Sequence, residues 1–109
     1  MGTPHVPVRS DGMTREELEE RWFELTRDVM PSLAGERGWP VHFDHCFQRI
    51  LLDNAVGKPW REAIEPPAYR TASDAVLARA VALGEAAVAG EEDLAALNRR
   101  SLRMRGKLR

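Results

Sequence analysis

Between Trp39 and Trp60 the chain carries one helix-length segment that is apolar on more than one side, and a helix of that kind has to be enclosed by neighbours. Phe43, Phe47, Ile50, Leu51 and Asn54 fall within about 100° of one another at 100° per residue. Leu52 and Val56 lie on the opposite side. Asp44 reads as the N-cap, Gly57 supplies a left-handed C-terminal residue, and Pro59 bars continuation. The helix over 43–56 is therefore expected to be central to the fold, with Phe43, Phe47, Ile50 and Leu51 in the core.

The remaining segments read as helices packed around it. Thr14-x-x-Glu17 forms a capping box, followed by Leu18, Trp22, Leu25 and Val29 at helical spacing. That helix should end near Leu33, ahead of Gly35 and Gly38, with Pro31 kinking or shortening it. Thr71 or Ser73 opens another helix, with Val76, Leu77, Ala80, Val81, Ala87 and Val88 as its apolar positions. Gly84 falls on that stripe, where a missing side chain permits close helix contact. After Gly90, Glu91 to Asp93 begin a last helix carrying Leu94, Leu97 and Leu102. No alternation of β-branched residues suggests a strand. The expectation is an all-α bundle of about four helices: a flexible leader over 1–12, a helical domain over 13–98 and a basic tail over 99–109.

Composition agrees with a small globular domain: 43% of residues are hydrophobic and 30% charged over 109 residues. No apolar run approaches the ~18 residues of a membrane span, and the start of the chain has no secretory pattern. One cysteine excludes an internal disulfide, so the expected compartment is the cytoplasm. The formal net charge of −1 hides an asymmetry: residues 99–109 hold six basic side chains and no acid, leaving the other 98 with 10 basic and 17 acidic groups.

Two candidate sites follow. The first is the polar flank of the central helix, with His42, His45, Cys46, Arg49, Asp53 and Asn54. A first-turn Cys46 beside His45 and Arg49 has the surroundings of a reactive thiol, or it is a small hydrophobe at the core edge. Adjacent residues on a helix diverge by about 100°, so His42, Asp44, His45 and Cys46 make a poor metal set despite suitable donors. His42, Cys46, Arg49 and Asp53 share a flank, whereas His45 lies towards Leu52. Arg49 and Asp53, an i,i+4 pair, read either as a stripe facing a groove walled by Trp39 and Trp60 or as a clamp holding the Lys58–Arg70 loop. Trp39 and Trp60 could instead pack against each other under the loops.

The second is the basic C-terminus, where Arg99, Arg100, Arg103, Arg105 and Lys107 are the expected contacts to a protein or nucleic-acid partner. A solvated helix end favoured by the helix dipole is the alternative. The segment contains no aromatic residue for base stacking.

The run His45-Cys46-Phe47-Gln48-Arg49-Ile50-Leu51-Leu52-Asp53-Asn54, with Gly57, Trp60, Pro67-Ala68-Tyr69 and Leu97-Asn98-Arg99-Arg100-Ser101-Leu102, resembles a pattern in short bacterial and haloarchaeal proteins, some identified as GNAT-type N-acetyltransferases. That enzyme class holds acetyl-CoA on an Arg/Gln-x-x-Gly-x-Gly/Ala loop between a strand and a helix. The sequence contains neither, so the resemblance implies a small family and no catalytic residue or cofactor. Two functions remain: an interaction module acting through the basic C-terminus, or a small-molecule or metal-binding protein with its site on the flank of helix 43–56.

Overall fold

Side chains cap the starts of three helices, and left-handed glycines close the ends of two others. A computed structural model of the chain describes residues 13–107 and is all-helical, with no strand among them. The elements are α1 (Arg15–Phe23), a π-helical segment (Glu24–Val29), α2 (Met30–Arg37), α3 (Asp44–Val56), a 3₁₀ turn (Trp60–Glu62), α4 (Ala68–Thr71), α5 (Asp74–Val88) and α6 (Leu94–Met104). The leader over 1–12 lies outside the described residues.

The capping box forms in full, with Thr14 Oγ1 accepting from Glu17 N at 3.1 Å and Glu17 Oε1 accepting from Thr14 N at 2.9 Å. Ser73 caps α5 through Val76 N, and Asp93 caps α6 through the N–H groups of Ala95 and Ala96. Gly57 closes α3 with φ of 79°, a conformation that a side chain disfavours.

Pro31 neither breaks nor shortens the first helix. Helical backbone runs from Arg15 to Arg37 and stops only at Gly38. The turn before the proline widens into a π-helix, in which Met30 N donates to Leu25 O five residues back. Proline has no N–H to give its i−4 carbonyl and its ring collides with that oxygen in a regular α-helix. The wider turn relieves both problems and places Arg27 and Thr26 in a register that α-helical spacing would not predict.

α3 is the centre of the bundle. It packs on α5, α6, the π-helical segment, the 3₁₀ turn and α2. Phe47, Ile50, Leu51, Leu52 and Ala55 are buried on it, meeting Trp22, Leu25, Met30, Leu77, Val81, Leu94 and Leu97. Burying each large aliphatic or aromatic side chain contributes about 1.5–3 kcal/mol, so this shared interior dominates the stability. Gly84 sits where α5 meets α3 and the π-helical segment: a Cβ there would lie 3.2 Å from both Leu25 Cδ1 and Leu51 Cδ1.

Two expectations about the start of α3 are corrected. The N-cap is Phe43, not Asp44, and Asp44 occupies the first helical position with Oδ1 accepting from His45 N at 2.7 Å. Phe43 therefore has extended backbone (φ −105°, ψ 151°) and departs from the helical period that assigned it to the core. It is 65% exposed, stacked on the His45 ring at 5.8 Å. The tryptophans also part company: Trp39 meets Phe47 edge-on at 5.8 Å, while Trp60 lies beside α3 near Arg61.

Ion pairs fasten the outer helices. Arg21 donates to both carboxylate oxygens of Glu85 at 2.5 and 2.7 Å, joining α1 to α5, and this bonding holds its guanidinium well above its usual pKa. Arg15 reaches Asp74 at 2.8 Å and Tyr69 O at 2.8 Å. No helix among the described residues is long and apolar enough to cross a membrane.

Candidate functional site

Asp53 is 0% exposed, and its carboxylate accepts four hydrogen bonds. Oδ1 takes Trp60 N at 2.8 Å and Arg105 Nη2 at 2.9 Å; Oδ2 takes Ser101 Oγ at 2.7 Å and Arg105 Nε at 2.6 Å. A buried carboxylate without partners is costly, and here all of its acceptor sites are occupied. The bonds to Asp53 raise the pKa of the Arg105 guanidinium, more than its partial burial lowers it, and the charges of Asp53 and Glu62 add to the effect.

Arg49 does not pair with Asp53. It turns to α6, donating from Nη1 to Ser101 Oγ at 2.7 Å and from Nη2 to Asn98 Oδ1 at 2.9 Å. Ser101 thus accepts from Arg49 and donates to Asp53, a relay between two charged groups. Asn54 adds a third tie, with Nδ2 donating to Ile50 O and Leu97 O and Oδ1 accepting from Arg100. The polar flank of α3 is an interhelical seam, and Asp53 also clamps the following loop through Trp60 N.

The basic C-terminus divides accordingly. Residues 99–104 belong to α6 and so to the helical domain. Arg105 is bound to Asp53 and Arg100 reaches Asn54, while Arg99, Arg103 and Lys107 are exposed.

A groove of about 570 Å³ adjoins this seam, along His45, Gln48, Arg49 and Leu52 of α3. Trp22, Phe23 and Arg27, Trp60 and Arg61, the segment Pro66–Tyr69, and Arg105 complete its lining. Of the six candidate residues, five on α3 and His42 just before it, only His45 and Arg49 line the groove. Trp60 is a wall as expected, and Trp39 is not. His42 is exposed and Cys46 half-buried, both away from the groove.

The lining holds four arginines and no carboxylate. Arg27 lies over the Phe23 ring at 4.0 Å from its centroid, and Arg61 lies 5.0 Å from that of Trp60. Phe23 in turn meets Tyr69 edge-on at 4.9 Å. Gln48 is held by Nε2 donating to the buried Thr26 Oγ1 at 3.0 Å, and that hydroxyl donates to Trp22 O at 2.9 Å. The π-helical turn therefore reaches the groove twice, through Arg27 directly and through Thr26 behind Gln48.

No family model, curated protein or solved structure matches this chain.

Among the described residues, no three histidine, cysteine, aspartate or glutamate side chains converge to hold a metal ion. The groove presents positive charge beside aromatic surface, a combination suited to binding an anion with an apolar body. Sequence reasoning missed Asn98, Ser101, Arg27, Gln48 and Arg61. Asn98 and Ser101 carry a signal, since they fall on the same face of α6 as Leu94, Leu97 and Arg105. Arg27 and Arg61 carry a weaker one: each stands next to, or one turn from, an aromatic residue.

Proposed function

We propose that this protein is a cytoplasmic binding module that holds a small organic anion in the groove between α3, the π-helical segment and residues 60–69. The observation that supports this reading is the lining of the groove, four arginines with aromatic walls and no acid. Its volume of about 570 Å³ falls within the few hundred to about 1,000 Å³ typical of small-molecule sites. Charge attracts the anion and the rings exclude water around it, which strengthens each charged hydrogen bond.

Trp22 and Trp60 line the groove, so intrinsic fluorescence reports occupancy. Benzoate should change the emission saturably and more weakly at higher salt, whereas the isosteric neutral benzamide should not. Equal responses to the two, or none to either in the millimolar range, would remove the proposal.

A second reading is favoured by the exposure of Arg99, Arg103 and Lys107: this face of α6 contacts an acidic protein or nucleic-acid partner. Deleting residues 99–109 would also remove Ser101 and Arg105 from Asp53, so substitution is the proper test. R99Q/R103Q should weaken salt-sensitive binding of a polyglutamate peptide or an oligonucleotide, read by fluorescence anisotropy. Unchanged binding by the double variant rejects this second contact.

A further inference from the structure

We infer that the anion held in the groove is a phosphate monoester carrying a planar aromatic group, a ligand of mononucleotide size; the inference rests on the anion-binding reading of the same groove. It starts from the donors that the fold leaves unused. Arg15 and Arg21, outside the groove, are both engaged by carboxylates. Arg27 and Arg61, within it, make no side-chain hydrogen bond or ion pair among the described residues. Each is held against a ring instead, Arg27 on Phe23 and Arg61 near Trp60. Contact with a ring restrains a guanidinium while leaving its N–H edge available. Arg105 directs Nε and Nη2 to Asp53, and its Nη1 has no partner among the described residues.

These donors arrive from separate elements: Arg27 from the π-helical segment, Arg61 from the 3₁₀ turn, Arg105 from the end of α6. A carboxylate has one O–O edge and accepts one guanidinium fork in its plane. A phosphate monoester has three terminal oxygens arranged tetrahedrally, so forks approaching from different directions can each find an edge. It also carries about −1.5 to −2 charge near neutral pH against −1 for a carboxylate, which matches the two arginines, Arg27 and Arg61, that have no ion-pair partner among the described residues. The rest of the groove is suited to a flat body. Phe23, Trp60 and Tyr69 provide rings, and Pro66, Pro67 and Leu52 provide apolar surface without donors.

The test is titration of the full chain, by calorimetry and tryptophan fluorescence, with phenyl phosphate, adenosine monophosphate, benzoate and inorganic phosphate. Phenyl phosphate and adenosine monophosphate should each bind at least tenfold more tightly than benzoate and than inorganic phosphate. R27Q and R61Q, both at exposed positions, should each weaken phenyl phosphate about tenfold with unchanged thermal unfolding, and K58Q should leave binding unaltered. Benzoate binding as tightly as phenyl phosphate would overturn the phosphate assignment while leaving an anion groove. Inorganic phosphate binding as tightly as the aromatic esters would overturn the aromatic part. No binding of any of the four compounds would overturn this inference together with the anion reading beneath it.

Discussion

Asp53 on α3 and Arg105 just beyond α6 form a bidentate ion pair, 2.6 and 2.9 Å, with the carboxylate wholly buried and Arg105 among the residues lining the groove. One residue pair thus joins the interior of the bundle to the groove. Asp53→Ala leaves Arg105, Ser101 Oγ and Trp60 N without their acceptor and should destabilise the protein by about 3–5 kcal/mol. Arg105→Gln, at a partly exposed position, should cost about 1.5–3 kcal/mol. Urea unfolding followed by circular dichroism measures both, and an Asp53→Ala cost below that of Arg105→Gln would contradict the assignment of Asp53 as the hub.

Thr26→Val keeps the shape of a fully buried side chain and removes its hydroxyl. Gln48 Nε2 then loses its acceptor and Trp22 O loses one donor. The expected loss is about 1 kcal/mol, since the half-buried Gln48 amide can turn towards water. Thermal unfolding compared with the wild type reads it, and an unchanged midpoint would show that the Thr26–Gln48 bond contributes nothing.

At Gly84 two effects oppose each other. A β-carbon improves helix propensity by a few tenths of a kcal/mol for valine relative to glycine. It also meets Leu25 and Leu51, both completely buried and unable to withdraw without disturbing their own neighbours. Overpacking of this kind costs about 1–3 kcal/mol and should prevail in Gly84→Val. The denaturation midpoint checks the sign, which stabilisation would reverse.

Phe43→Ser should be nearly silent. The ring is 65% exposed and touches little besides His45, so the stability change should stay within about 0.5 kcal/mol. A loss of 2 kcal/mol or more in the same unfolding measurement would restore Phe43 to the core.

Much of the helix plan was legible because caps act over three or four residues. Thr14 with Glu17 and Gly57 after α3 stand as expected; of Thr71 and Ser73 it is Ser73 that caps α5, and of Glu91 to Asp93 only Asp93 caps α6, which starts at Leu94. The errors arose where a local rule had two solutions. Pro31 allows a break or a π-helical turn, and the burial of Met30 before it and Ala34 after it selects the turn. Phe43 belongs to the helical stripe only if the helix already includes it, and one position of difference moved it into solvent.

For the candidate site, the sequence identified α3 as the place and Arg49, Asp53 and Asn54 as its polar residues. It could not tell that these three face α6, because their partners are 43–52 residues away and nothing in the local period of either helix encodes the pairing. The basic C-terminus, a single feature when read along the chain, was divided by the same packing. α6 lays Ser101 and Arg105 against α3 and leaves Arg99, Arg103 and Lys107 outside. Helix content and limits were set by short-range hydrogen bonding and apolar period. Which arginines pair with the interior, which line the groove and which face water was decided only by the tertiary packing, since the burial of Asp53 demands a cation and the fold alone determines which one reaches it.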